Sequence, residues 1–122
     1  MVTRPRAAPG DASRAAESAL VALPVLRALA EPHRLSLVHA LRERERCVRD
    51  LVEAVGLSQP LVSFHLSKLV EAGLVQSRHG DGFTYYALRA AGLRDAQAMI
   101  GTVLAAELTA LAQPGGNAAC CR

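Results

Sequence analysis

A mainly α-helical domain carrying one small β-hairpin is the fold class this sequence predicts, on three features. Apolar residues recur at helical spacing through much of the chain, a short helix meets a longer one across Gly56 to Ser58, and two strand-like runs follow around a glycine-bearing turn. Helix, tight turn, helix and hairpin in that order make a winged helix-turn-helix. A chain of 122 residues suits one domain, and 51% hydrophobic residues with only 3% aromatics leaves Leu, Val and Ala to fill the core.

Residues 1–14 are rich in Pro, Arg, Ala and Gly without helical period and read as a flexible arm; the domain proper is expected over 15–111. From about Ala15 to Leu29, residues Leu20, Leu23, Leu26 and Leu29 keep helical spacing, and Pro24 is expected to bend or divide that helix. Glu31 and Pro32 open a second helix, with Leu35, Val38 and Leu41 as its buried stripe and Arg42 to Arg46 as a charged end. Val48 to Val55 form a short positioning helix with Leu51, Val52 and Val55 on one side and Asp50 and Glu53 on the other. Gly56 can take the left-handed conformation that ends it, Ser58 can cap the next helix, and Pro60 falls in that helix's first turn.

Over Gln59 to Ala72, Val62, Leu66, Leu69 and Val70 share a face, while Gln59, Ser63, Phe64 and Ser67 point away from it. Val75 to Arg78 and Phe83 to Leu88 flank the turn His79-Gly80-Asp81-Gly82 and form the wing. A last helix, about Arg89 to Leu111, lays Leu93, Ile100, Val103 or Leu104, Leu108 and Leu111 along a wide apolar stripe. With the first helix, this exceeds what so small a core needs, and the surplus is assigned to a homodimer interface through the first and last helices. Residues 112–122 contain Pro, Gly and the pair Cys120-Cys121 and read as a flexible tail.

A net charge of +3 permits a nucleic-acid partner without demonstrating one. The reading of the outward helix face is stronger. Gln59 and Ser63 offer amide and hydroxyl groups to base edges, Phe64 can meet a thymine methyl, and Lys68, Arg78 and His79 suit phosphates. Double-stranded DNA is therefore the expected partner. No apolar run approaches the roughly 18 residues of a membrane span and no secretion-signal core is visible, so a cytoplasmic location is expected. An enzyme is not expected: there is no phosphate-cradling loop, nucleophile elbow or metalloprotease helix, and the histidines do not pair with carboxylates at a useful spacing.

Three stretches carry a family resemblance: LRALAEPHRLSLVHAL at 26–41, LSQPLVSFHLSKLVEAGLV at 57–75 and GDGFTYYAL at 80–88. In these the chain resembles the ArsR/SmtB family of winged-helix repressors. The resemblance implies a homodimer on a two-fold operator, released when an inducing metal, metalloid or, in some members, an oxidant binds. By position it places Ser58, Gln59, Ser63, His65 and Lys68 in or beside the DNA groove.

Arsenic-responsive members of that family carry a Cys-Val-Cys-Asp-Leu box at the start of the positioning helix; here the place reads Cys47-Val48-Arg49-Asp50-Leu51. Trivalent arsenic or antimony takes soft thiolates in a three-sulfur pyramid, so one thiol here is too few. The remaining two are Cys120 and Cys121, and the segment from Leu111 to Cys120 can extend about 30 Å. The expected inducer is accordingly As(III) or Sb(III) at Cys47, Cys120 and Cys121, with no permanent cofactor. Cadmium or lead on the same thiolates, and redox or persulfide sensing through Cys47, are the competing readings within this fold. A soft-metal-binding protein without DNA binding is a further alternative. A zinc, nickel or cobalt site on the last helix is disfavoured, because that helix offers Asp95 and Glu107 but no His.

Overall fold

The computed structural model describes residues 9–112. In chain order these form α1 (Pro9–Leu29), α2 (Pro32–Ala40), β1 (Arg46–Cys47), α3 (Val48–Val55), α4 (Gln59–Glu71), β2 (Val75–Gly80), β3 (Phe83–Leu88) and α5 (Ala90–Ala112). The winged helix-turn-helix expected from the periodicity is the observed architecture. Cys120 and Cys121 lie outside the described residues, as does the first part of the N-terminal arm.

Several helix boundaries and faces differ from expectation. α1 starts at Pro9 rather than near Ala15, and it continues through Pro24 as one helix. Pro24 leaves the carbonyl of Leu20 without its donor, but Leu20 is 65% exposed, and water can serve what the helix does not. The buried line of α1 is Ala22, Val25 and Ala28, whereas Leu20 and Leu26 are exposed. Small residues let α5, which packs on α1, come close, so the larger leucines are displaced to the outer face. In α2 the same exchange occurs: Leu37 and Leu41 are buried, and Leu35 is exposed.

The core is built where the three short helices meet. Leu37 of α2, Leu51 of α3, and Val62, Leu66 and Leu69 of α4 are fully buried, with Leu74 and Val75 closing the group below. Burying each such side chain stabilises by roughly 1.5–3 kcal/mol. Val70, expected on this face, is exposed instead.

Local signals fix the joints. Gly56 ends α3 at φ 71°, its N–H donating to the Val52 carbonyl at 2.9 Å. Glu31 caps α2, accepting from the Arg34 N–H at 2.8 Å, and Ser58 caps α4, accepting from the Leu61 N–H at 3.5 Å. β2 and β3 pair antiparallel from Val75↔Leu88 to Gly80↔Phe83, two residues further along β2 than expected. Asp81 and Gly82, both at positive φ, make the two-residue turn.

The third strand, β1, was not foreseen: Arg46 pairs with Tyr86 and Cys47 with Tyr85, giving the sheet order β1-β3-β2. Two residues are too few to show strand periodicity. At the other end of the wing, the Arg89 N–H donates to the Leu74 carbonyl at 2.9 Å, leading the chain into α5.

α5 is held against the α4–β2 turn by a close backbone approach at Gly92. A Cβ there would lie 1.7 Å from the Gly73 carbonyl oxygen. Gly92→Ala must therefore push α5 off this turn, and we expect a loss of about 1–3 kcal/mol in urea unfolding. An unchanged midpoint would contradict this packing.

Candidate nucleic-acid interface

The surface that α4 turns outward carries Gln59, Ser63, Phe64 and Ser67, all exposed. Their exposure follows from the helical period, since Val62, Leu66 and Leu69 occupy the opposite side. Phe64 is 50% exposed. Lys68 lies over that ring, its Nζ 5.5 Å from the centroid, and it is 3.7 Å from Glu71 Oε2. Ser67 Oγ donates to the Phe64 carbonyl at 2.7 Å, which leaves its oxygen lone pairs facing outward.

Two of the expected DNA-contacting residues are placed differently. His65 is only 7% exposed and faces α2, with Nδ1 3.5 Å from Arg34 Nη1 and 3.8 Å from Glu31 Oε2. It lies away from the reading face and joins α4 to α2. Ser58 lies on the exposed end of α4, but its hydroxyl is turned to the helix cap.

On the wing, Arg78 is exposed but engaged. Its guanidinium donates to both carboxylate oxygens of Glu45, through Nε at 2.9 Å and through Nη2, and stacks 4.5 Å from the Tyr85 ring centroid. The Arg78 hydrogen bond holds the Glu45 carboxyl below the ordinary glutamate range, and Glu45 in turn raises Arg78. His79 is exposed, with Nδ1 3.0 Å from Thr84 Oγ1 across the hairpin.

Cys47 occupies the junction of wing and helices. It is the N-cap residue of α3, it pairs with Tyr85 of β3, and its side chain is half-buried. A cleft of about 510 Å³ opens beside it, between α3, the first residue of α4 and the wing, lined by Cys47, Val52, Gln59, Phe83 and Thr84 among others. Cys47 and Gln59 thus border one cavity. Neither is marked as a neighbour of the other by sequence spacing.

Two of the four histidines share one carboxylate in the fold. Glu31, His33 and His65 each bring one ligand atom within 4.8 Å of the others. Burial pushes the Glu31 carboxyl up, and this is outweighed by the Arg34 amide together with His33 and His65, so that it lies below its ordinary value. The Glu-x-His spacing at the α2 cap was visible in the sequence; its third member, from another helix, was not.

These features match one known group. Residues 31–77 match the model of the arsR family of bacterial regulatory proteins, an HTH_5 domain. The chain is 30% identical over 96 residues to the arsenical resistance operon repressor of Bacillus subtilis, covering 78% of this chain and 85% of that one. The chain belongs to the arsR family. Within this arsR-family chain, 64 residues are 47% identical to the HTH-type transcriptional repressor SmtB of Mycobacterium tuberculosis; they cover 52% of this chain and span about half of that relative, 47%. Among solved structures, a possible transcriptional regulator for arsenical resistance superposes with a TM-score of 0.61 at 35% identity, covering 72% of this chain and 95% of that one. All three relatives are named as regulators, in keeping with a chain that is not an enzyme. Among the described residues, no helix is long and apolar enough to cross a membrane.

The Glu45–Arg78 pair yields a prediction with a definite sign. Since Glu45 titrates below its unfolded value, the pair's stabilisation is present above the ordinary glutamate range and is lost as pH falls through the folded-state value. Glu45→Gln removes the charge that masks Arg78, and an Arg78 that faces the DNA backbone should then steepen the slope of log K against log salt by about 0.9. An unchanged slope would show that Arg78 does not face the backbone.

Proposed function

We propose that this arsR-family protein is a homodimeric transcriptional repressor that binds a two-fold operator and releases it when As(III) or Sb(III) is ligated by Cys47, Cys120 and Cys121. The observation that carries the reading is the cleft shared by Cys47 and Gln59. An ion drawing Cys47 toward two tail thiols acts on the N-terminus of α3 and on the β1–β3 ladder together, and both border the residue best placed to read a base. Coupling of about 1–3 kcal/mol would weaken operator binding 5- to 150-fold, so a small displacement suffices.

The ligand assignment is supported by chemistry. A single thiol on α3 cannot satisfy a soft trivalent centre, and the tail supplies two adjacent thiols with a reach of about 30 Å from the end of α5. The homodimer is supported by the outer faces of α1 and α5. Leu20, Val21, Leu104, Leu108 and Leu111 are 55–70% exposed there, more apolar surface than a monomer leaves on two neighbouring helices.

DNA recognition divides by chemistry. Gln59, Ser63 and Phe64 read base edges, while Lys68, His79 and, once released from Glu45, Arg78 meet phosphates. Gln59→Ala should reduce operator affinity by about 1–3 kcal/mol with little effect on random DNA, whereas Lys68→Ala should weaken both alike. Equal losses on the two DNAs for Gln59→Ala in a gel-shift series would refute the assignment. For the sensor, arsenite should release the operator from wild type but not from a Cys120→Ser, Cys121→Ser double variant. Undiminished release by the double variant would remove the tail from the mechanism.

A further inference from the structure

Away from the outward face of α4, one set of metal-ligating side chains among the described residues is gathered from two helices. Glu31 is the N-cap of α2, His33 follows two residues later, and His65 comes from the middle of α4. Glu31 Oε1 is 3.0 Å from His33 Nδ1, and Glu31 Oε2 is 3.8 Å from His65 Nδ1. We propose that Glu31, His33 and His65 bind a borderline divalent cation of the zinc, cobalt or nickel class, joining the start of α2 to the recognition helix.

The donor set decides the ion class. Two imidazoles and one carboxylate suit such cations and offer nothing to a soft trivalent centre, so this site and the thiolates take different ions. Tetrahedral zinc with bonds of about 2.0–2.1 Å sets its ligand atoms about 3.4 Å apart. The separations present, from 3.0 Å up to 4.8 Å, bracket that value, and closing them is a matter of side-chain rotation.

The three ligands are held unequally, which is what allows closure. His65 is fixed by burial, with 9% of its side chain accessible, while His33, at 49%, is free to swing in. Glu31 Oε2 accepts the Arg34 N–H, leaving Oε1 toward His33 for the metal. With His33 49% exposed, solvent can reach the site and water can complete the coordination.

Two positive charges oppose a cation here, the Arg34 guanidinium beside His65 and the N-terminal end of α2. The first is tied through Nε and Nη2 to the carbonyls of Ala28 at 2.7 Å and Arg27 at 3.3 Å, so the cation has to displace only the long 3.5 Å contact from Nη1 to His65 Nδ1. The second is offset by the Glu31 carboxylate that caps the helix.

The test uses the full chain with Cys47, Cys120 and Cys121 all replaced by Ser, so that no thiol can bind the probe. Titrated with Co(II), this protein should develop visible d–d bands without sulfur-to-cobalt charge transfer, saturating at a single ion per chain, and Zn(II) should displace the signal. Adding His33→Ala, an exposed position, should weaken binding by on the order of tenfold or more while leaving the thermal unfolding of the metal-free protein unchanged. His65→Gln should weaken binding in the same way from the other helix, with some loss of metal-free stability because that residue is buried between α2 and α4. A thiol-free chain that binds Co(II) and Zn(II) no more tightly than its His33→Ala counterpart would overturn the proposal. Arsenite response plays no part in this readout, so the site stands or falls independently of the thiolate sensor.

Discussion

The pairing of β1 with β3 is the constraint on which the rest of the reader depends. Two residues, Arg46 and Cys47, tie the centre of the wing to the chain that enters α3. Arg46 is anchored on its other side, its Nε donating to the Ala40 carbonyl at 2.8 Å, so the ladder is also fixed to the end of α2. Cys47 is at once a ladder residue, the N-cap of a helix and the wall of a cleft, and it cannot move alone. Because packed interiors shift between discrete arrangements rather than deforming smoothly, a pull on that sulfur is passed to the elements around it.

Electrostatics divides the surface into regions with different duties. The outward face of α4 carries Gln59, Ser63, Ser67 and the Phe64 ring and no charge until Lys68, which suits contact with base edges more than attraction to phosphate. The wing holds its strongest cation against Glu45 and Tyr85, a bidentate and stacked arrangement that positions Arg78 while masking its charge. The α2–α4 contact gathers Glu31, His33, Arg34 and His65 in a group where only His65 is deeply buried.

The order of elements was legible because each joint has a local cause. Gly56, Ser58 with Pro60, and Asp81-Gly82 announce a helix end, a helix start and a turn without reference to the rest of the fold. The buried faces were legible only where one residue type could fill them. In α1 and α2 the largest leucines read as core, yet close helix packing selected Ala22, Ala28 and Leu37 and left Leu20 and Leu35 outside. What sequence could not give was contact between distant segments: β1 against β3, Glu45 against Arg78, and His65 against Glu31 are each set by tertiary approach. For the site, the exposed line Gln59, Ser63 and Phe64 followed from the helical period, while the inward turn of His65 and the neighbourhood of Cys47 and Gln59 required the folded chain.

The central claim is that ligation at Cys47 is what loosens the grip on DNA. It is tested most directly by operator affinity with and without arsenite for Cys47→Ser carrying an intact tail. The account predicts tight binding of the operator by this variant and no release on adding arsenite. Arsenite-driven release equal to wild type would contradict it, because the tail thiols would then act without the residue that joins the wing to the reading helices.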